Sequence, residues 1–568
     1  MARAAGKLLE AKVLLLLRAR AVFGLPSGLP WGPCELSAAS AGTSRGLLES
    51  LAARSDTQGG PLRDFWRYRQ RVAIVKVLGM ETEYGIIVRG GGEPNPIAAS
   101  SALINAYVSS LARRIEWDFQ DESPARDARG FVRDTQMAPE VETHLVNAVL
   151  TNGARYYVDH AHPEFSGPEC SNVREAVLYD KAGEAILARS VEAAARLLPP
   201  GQHISVYKNN SDGKGNSYGS HENYLVDRSV PFSRIVQVVT PHFVTRQIYT
   251  GAGKVGAEAP GAEDVDFQIT QRADFFEEEV GLETTLKRPI VNTRDEPHCD
   301  AQKYRRLHVI LGDANLSEIA DFLKVGTTAL VLAMIEDDWF AKQARDYTLA
   351  VPVRSMRRVS YDLALSEPLP LANGRQMTAL EVQWEHLDMA RKYSEDVGLG
   401  AVGGEDVGKE ILRRWEEVLA GLEADPMSLS NRLDWVAKYR MVSGYRERHG
   451  LRWKDPKLLA MDLQYHDVQP ERSLYARAGM ERLLRPEDVE RAMSEPPTTT
   501  RAYFRGKCLQ RWPQAIAAAN WDSLVFDLGN DPLRRVPMME PLRGTAAHVD
   551  QLLVRCNTPA ELLEQLGS

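Results

Sequence analysis

Thr151-Asn-Gly-Ala-Arg-Tyr-Tyr-Val-Asp-His-Ala-His-Pro-Glu-Phe-Ser-Gly-Pro-Glu-Cys170 is the stretch on which the reading of this chain turns. Arg155, Tyr157 and Asp159 stand two residues apart. In a strand such residues share one face. Ala154, Tyr156 and Val158 fall on the other face and can pack. A guanidinium, a phenol and a carboxylate in one row make poor core material, because a buried charge needs a partner. The row reads as the wall of a polar cavity.

The arrangement recurs. Glu81 and Glu83 share a parity, as do His221 and Asn223, Thr270 and Arg272, and Arg306 and His308. Leu307, Val309 and Leu311 lie opposite the last pair. One such pair is best explained as a half-exposed strand with a solvated face. Five together favour one curved sheet around a charged ligand. Carboxylate, imidazole and phenol donors suit a hard divalent cation such as Mg²⁺, and arginines suit phosphate.

At 568 residues, 44% of them hydrophobic and 26% charged, the chain can build a large core and more than one domain. The five cysteines are scattered, with no Cys-x-x-Cys, which argues against a zinc ribbon or a disulfide framework and fits a reducing cytoplasm. Residues 1–72 carry a net charge of +6 within a chain of −8, leaving −14 on the remainder. An acidic body argues against general nucleic-acid binding. The first seventy residues, rich in Ala, Leu, Arg, Gly and Ser, read as a poorly ordered extension or, alternatively, a targeting arm. Their apolar run Val13–Leu17 is too short for a membrane span or secretory segment, and no other stretch approaches that length.

Strands are expected over 73–89, 154–160, 204–208, 220–227, 234–240, 265–272 and 305–312, and near Trp521–Gly529. Helices are expected over 171–197 and over 315–336, with Asn315 or Ser317 as N-cap. Helical periodicity dominates 376–495. Residues 90–146 read as a long insert, irregular in its second half and therefore functional or disordered. Pro496-Pro-Thr-Thr-Thr500 reads as a linker. The organisation expected is an extension over 1–72, a catalytic domain over 73–495 and a small C-terminal domain over 496–568. Lys208–His221 lacks Walker A spacing and reads as a turn. No Gly-x-Ser-x-Gly elbow occurs. Asn292–Asp300 is either a charged surface turn or a phosphate or substrate contact.

Six motifs in order carry a resemblance: Gly-x-Glu-x-Glu-Tyr-Gly, Asn-Gly-Ala-Arg-x-Tyr-x-Asp, Tyr-Lys-Asn-Asn-x-Asp, Ser-His-Glu-Asn-Tyr, Asn-Thr-Arg-Asp-Glu-Pro-His and Lys-Tyr-Arg-Arg-Leu-His. From about Val77 to the C-terminus the chain resembles the Pup ligase / Pup deamidase–depupylase family. The fold this implies is α+β: a glutamine-synthetase-like large domain with a curved, mainly antiparallel sheet backed by helices, plus a small C-terminal domain. Three features resemble the hydrolase branch: the segment Asp121–Phe131 within the insert, the spacing Asp159-His-Ala-His-Pro-Glu164, and Val280–Arg288.

The resemblance implies Asp159 as the catalytic carboxylate and Glu81, Tyr157, Glu164, His221 and His308 as Mg²⁺ residues. It implies Arg155, Arg272, Arg294, Arg306 and Trp521 as contacts of ATP, or of ADP plus phosphate. The activity implied is deamidation of the C-terminal Gln of the modifier Pup and cleavage of the isopeptide bond joining Pup to substrate lysines. Pup and pupylated proteins are the implied partners, with no role for nucleic acid or membrane. A Pup–protein ligase passing through a γ-glutamyl phosphate, a small-molecule carboxylate–amine ligase and a non-catalytic Pup- or nucleotide-binding scaffold are the rival readings.

Overall fold

The alternation around Glu81 becomes an inner strand of a six-stranded sheet. In chain order the first strands are β1 (Leu78–Glu83), β2 (Gly85–Arg89), β3 (Glu116–Trp117), β4 (Asn147–Val149), β5 (Arg155–Asp159), β6 (His162–Ser166), β7 (His203–Tyr207) and β8 (Ser220–Asp227). The large sheet runs in the order Tyr304–Val309, β8, β1, β6, β5, β4, and each neighbouring pair is antiparallel. β1 buries Leu78, Met80 and Thr82 and turns Glu81 and Glu83 to the opposite face. The register sets Glu83 across from Glu164, Glu164 across from Tyr157, Glu81 across from His221, and Asn223 across from His308. The structure is a computed structural model that describes residues 73–90, 95–120, 122–130, 146–258, 264–285, 287–343, 345–529 and 532–567. The reading of residues 1–72 falls outside them.

The apolar face packs on two long helices, Val173–Ala195 and Glu318–Glu336. Every residue of the second is buried, and Ser317 caps it by accepting from the Ala320 amide at 3.2 Å. Charges on this inner side are matched. Glu222 on β8 meets Arg246 at 2.6 Å, and Lys76 meets Glu336 at 2.5 Å. Helices Ala379–Asp396, Glu405–Ala424, Asp434–His449, Pro456–Tyr465 and Pro486–Ala492 fill the region where helical periodicity was read.

Three expectations are corrected. Residues 234–240 lie in the helix Phe232–Thr245, not in a strand. The run of Ile and Val suggests β structure, yet Ile235, Val238, Val239 and Phe243 bury one helical face, and packing outweighs β-propensity. Over 265–272 only Phe267–Gln268 is a strand; Thr270 Oγ1 accepts from the Ala273 amide at 3.0 Å and starts a turn, so Thr270 and Arg272 are not a strand row. Residues 73–89 form two strands, since β2 leaves the large sheet after Tyr84 and pairs with β7. The first half of the insert, for which no element was named, holds the helix Pro96–Val108, capped by Asn95, which buries Leu103 and Ile104.

A second sheet joins β3 to Ile516–Ala519, Ser523–Phe526 and Arg534–Pro537. Its core gathers Phe504, Cys508, Ile516, Leu524 and Phe526 with Ile115, Trp117 and Val149 from earlier in the chain. The stretch read as a linker is fastened to the large sheet's surroundings. Thr499 donates to Glu175 at 3.0 Å and Thr500 to the Glu169 carbonyl at 2.6 Å.

Candidate active site

The polar face of the large sheet carries two groups of metal-competent side chains. In the first, ligand atoms of Glu81, His221 and His308 all lie within 4.8 Å of one another. Asn223 organises this group from the middle of β8. Its Nδ2 donates to Glu81 at 2.6 Å, and its Oδ1 accepts from Arg306 at 3.1 Å and lies 2.9 Å from His308 Nδ1. Paired with that oxygen, Nδ1 carries the proton of the imidazole and leaves the Nε2 lone pair for a ligand. Burial and the adjacent Arg306 hold the His308 pKa well below its usual value, so the ring is neutral. Burial opposes the Glu81 carboxylate, but the hydrogen bond to His221 and the positive field of its neighbours, Arg306 included, keep its pKa below the usual range.

In the second group, ligand atoms of Glu83, Asp159 and Glu164 likewise lie within 4.8 Å of one another. Three carboxylates this close repel. Glu164 is driven well above the carboxylate range by burial and by Asp159, Glu83 and Glu81. Glu83 is held at about 2 despite burial, by His162, His221 and the Gly219 amide, which donates at 2.8 Å. Tyr157 stands between Glu164 and Arg155; burial and Glu164 keep it a neutral phenol. Asp159 ends β5 at a two-residue turn whose first residue, His160, holds φ 52°, a conformation strained for a side chain with a Cβ. Its side chain is 38% exposed, against 13% for Glu83, so it is more open to an approaching ligand. Crowded carboxylate oxygens beside neutral imidazole are the donor set a hard divalent cation takes, and the repulsion at Glu164 is what such a cation relieves.

Beside the first group opens a cleft lined by Glu81, Arg306, His298, Arg501 and Trp521 among others. Trp521 meets Trp117 edge-on at 5.1 Å. The Arg155 guanidinium lies 4.2 Å from the Trp117 ring and 3.9 Å from that of Tyr157, and its Nε donates to Asn147 at 2.8 Å. Within the insert, Arg126–Ala128 is zipped onto Thr293–Asp295. Ala128 N–H donates to Thr293 at 2.8 Å, Thr293 Oγ1 donates to Asp127 at 2.6 Å, and Asp295 N–H donates to Arg126 at 2.9 Å. Arg294 in this zipper keeps a buried Nε with no hydrogen-bond partner, and its charge reaches Arg306 and His308. Asn292–Asp300 is thus a divided segment. Arg294, Glu296 and His298 belong to the site, while Asp295 pairs with Arg228 away from it.

Of the residues singled out from sequence, Glu81, Tyr157, Asp159, Glu164, His221, Arg306 and His308 share one face of the sheet. Arg155 and Trp521 join through Trp117, and Arg294 through the insert. Arg272 stands apart: it is 2% exposed, donates to Ser217 Oγ at 3.2 Å and to the Ile310 carbonyl, and does not line the Trp521 cleft. Glu83 was passed over as a ligand although its parity with Glu81 was the available signal. Trp117 and His298 leave no periodic signal of their own, since β3 is two residues long and the chain around His298 is irregular.

The family model described as "Pup-ligase protein" matches residues 76–525. The chain is 54% identical to the depupylase of Acidothermus cellulolyticus and 48% identical to the Pup deamidase/depupylase of Mycolicibacterium smegmatis, in each case over 86% of this chain and 99% of the relative. The crystal structure of the ligase PafA in complex with the prokaryotic ubiquitin-like protein Pup superimposes with a TM-score of 0.72 at 31% identity, covering 87% of this chain and 94% of that one. The ligase PafA in complex with ADP gives 0.65 at 35% identity, over 72% and 89%. With the antiparallel sheet, its helical backing and the ordered motifs all in place, the chain belongs to the Pup-ligase protein family.

Proposed function

We propose that this protein is an amidohydrolase of the hydrolytic branch. In this reading it deamidates the C-terminal Gln of Pup and cleaves the isopeptide bond between Pup and substrate lysines, with a nucleotide bound. Identity favours that branch over the ligase: 54% to a depupylase and 48% to a Pup deamidase/depupylase, each across 99% of the relative, against 40–41% to two Pup–protein ligases across 89%. The geometric observation that carries it is Asp159, the open member of a carboxylate group that otherwise faces inward.

The Trp521 cleft is assigned to ATP, or to ADP plus phosphate, with Arg306 and Arg294 on the phosphate side. Glu81, His221 and His308, and Glu83 with Glu164, are the residues that would hold Mg²⁺. Bound there, Mg²⁺ supplies positive charge to the carboxylates and to phosphate oxygens. Asn223 and His162 orient the donors. Asp159 supplies the reacting carboxylate: as nucleophile it joins the γ-carbonyl carbon while the C–N bond breaks and the amine leaves protonated, or as base it takes the proton of the attacking water. Four cysteines are free and buried, in keeping with action in a reducing cytoplasm, and among the described residues no helix is long and apolar enough to cross a membrane.

Amide hydrolysis runs downhill and needs no phosphoryl transfer. Incubation with Gln-ended Pup, Mg²⁺ and ATP should convert Gln to Glu by mass spectrometry, with far less than one ATP consumed per amide. One ATP per amide, or conjugate formation from Glu-ended Pup, would establish the ligase reading instead.

A further inference from the structure

The hairpin that carries Asp159 is built against the preferences of its own sequence. β5 and β6 pair with Asp159 across from His162, which leaves His160 and Ala161 as a two-residue loop. Positive φ in such loops is ordinarily taken by glycine, asparagine or aspartate. Here His160 takes it, at φ 52°. Its side chain is 65% exposed, so burial does little to offset the strain. What the conformation achieves is a placement: His160 Nδ1 stands 3.1 Å from Asp159 Oδ2.

The surroundings hold the loop in that shape. Ser100, fully buried on the helix Pro96–Val108, donates to the Ala161 carbonyl at 2.8 Å. His162, the first residue after the loop, has its ring 4.4 Å from that of Tyr218 and its Nδ1 3.5 Å from Glu83. Tyr218 is fixed in turn by donating to Asn209 at 2.6 Å. The loop backbone is thus anchored on both sides, as a strained conformation must be to persist. Asp159 itself is a half-exposed carboxylate at a strand end, free to rotate about its side-chain torsions unless a neighbour holds it.

We propose that His160 is a positioning residue for Asp159: with its proton on Nδ1 it holds Oδ2 and leaves Oδ1 as the oxygen that meets the substrate. This rests on the role given to Asp159 above. In that role the orientation of the carboxylate acts on turnover rather than on binding, since a bound substrate still needs an aligned oxygen at its carbonyl carbon or at the attacking water. Strain kept next to a reacting group has the same explanation: the loop trades local comfort for a fixed carboxylate.

Three variants of this one residue test it, in the full-length enzyme with Mg²⁺ and ADP present. Asparagine carries its amide nitrogen on Cγ, as histidine carries Nδ1, and tolerates positive φ. Glutamine sets its nitrogen one bond further out, in the place of Nε2. Glycine removes the ring and the strain together. His160→Gly should lower kcat on Gln-ended Pup at least about tenfold, with KM and ADP affinity changed by less than about twofold. Its melting temperature should be unchanged or raised. His160→Asn should bring kcat back to within about threefold of the unaltered enzyme, and His160→Gln should not. A His160→Gly variant with unaltered kcat would overturn the proposal, as would equal losses in the Gly and Asn variants, or a raised KM at unchanged kcat, which would make the ring a substrate contact. A second readout needs no turnover. In nitrogen-labelled histidine spectra, with His160 identified by its absence from His160→Gln, the neutral ring should carry its proton on Nδ1 and shift to the Nε2–H form in Asp159→Ala. An Nε2–H ring in the unaltered enzyme would overturn the contact. An Nδ1–H ring in an enzyme that hydrolyses no Pup would support the contact and count instead against the proposed function.

Discussion

Asp159 differs from its neighbours in how little of the fold depends on it. It sits at the rim of β5, its carboxylate lies 3.1 Å from His160 Nδ1, and it adds to the repulsion that raises Glu164. Asp159→Asn removes a charge from a crowded group and leaves no buried cation unpaired. We expect hydrolysis to fall by about 10²–10⁴-fold or more, with ADP affinity retained and the melting temperature unchanged or slightly raised. A purely structural Asp159 would instead show lowered melting with hydrolysis near the unaltered level. The contrast is with Glu81, which accepts from Asn223 and faces His221 and Arg306; Glu81→Gln should weaken Mg²⁺ dependence first, read as a higher cation concentration for half-maximal activity.

At the scale of elements, the insert divides into parts with different duties. The helix Pro96–Val108 packs against Val173–Ala195 and against β5 and β6, with Leu103 and Ile104 at 0% exposure. Leu103→Ala should cost about 2–5 kcal/mol, visible as a lower urea midpoint, while leaving KM for Pup unchanged in the folded fraction. An unchanged urea midpoint would show that this helix is dispensable to the fold. The helix was missed in sequence because Ala- and Ser-rich Pro96–Val108 has little amphipathic contrast; its environment is apolar on several sides. The strand rows were legible for the opposite reason. β1, β5 and β8 each face a packed layer on one side and the polar site on the other, so parity alone separates Glu81, Tyr157 and His221 from Met80, Tyr156 and Tyr224. Thr270 and Arg272 mimicked that parity in a segment that turns, and the helix Phe232–Thr245 hid behind β-branched residues. Contacts made through very short or irregular segments, such as Trp117 on Arg155 or Ser217 on Arg272, leave no periodic trace.

Across the whole molecule, the small C-terminal sheet is tied to the site by one carboxylate. Glu169 accepts from Arg501 at 2.6 Å and Arg505 at 2.5 Å, Arg505 lies 5.2 Å from the Trp521 ring, and Glu169, Arg501 and Trp521 all line the cleft. Burial opposes the Glu169 charge, yet Arg505 and Arg501 bring its pKa from 4.5 down to about 2. A depressed carboxylate contributes stability that is complete above its unfolded pKa and is lost as pH falls through the folded one. The window is therefore from about pH 4.5 down to about pH 2, and the shift corresponds to about 3 kcal/mol. Glu169→Gln removes this dependence and leaves two buried guanidiniums without their anion, at a cost of about 3–5 kcal/mol near neutral pH. Two curves decide the matter: urea stability against pH for the unaltered chain and for Glu169→Gln. The curves should lie well apart at pH 7, begin to approach below about pH 4.5 and converge near pH 2. Parallel curves would mean that Glu169 carries no linked proton and that other contacts hold the C-terminal sheet. If Trp521 is kept in place through Arg505, the same variant should also lose ADP affinity at pH 7 in the fraction that remains folded, with Trp117→Ala as the comparison that removes the ring packed edge-on against Trp521 without touching the charge.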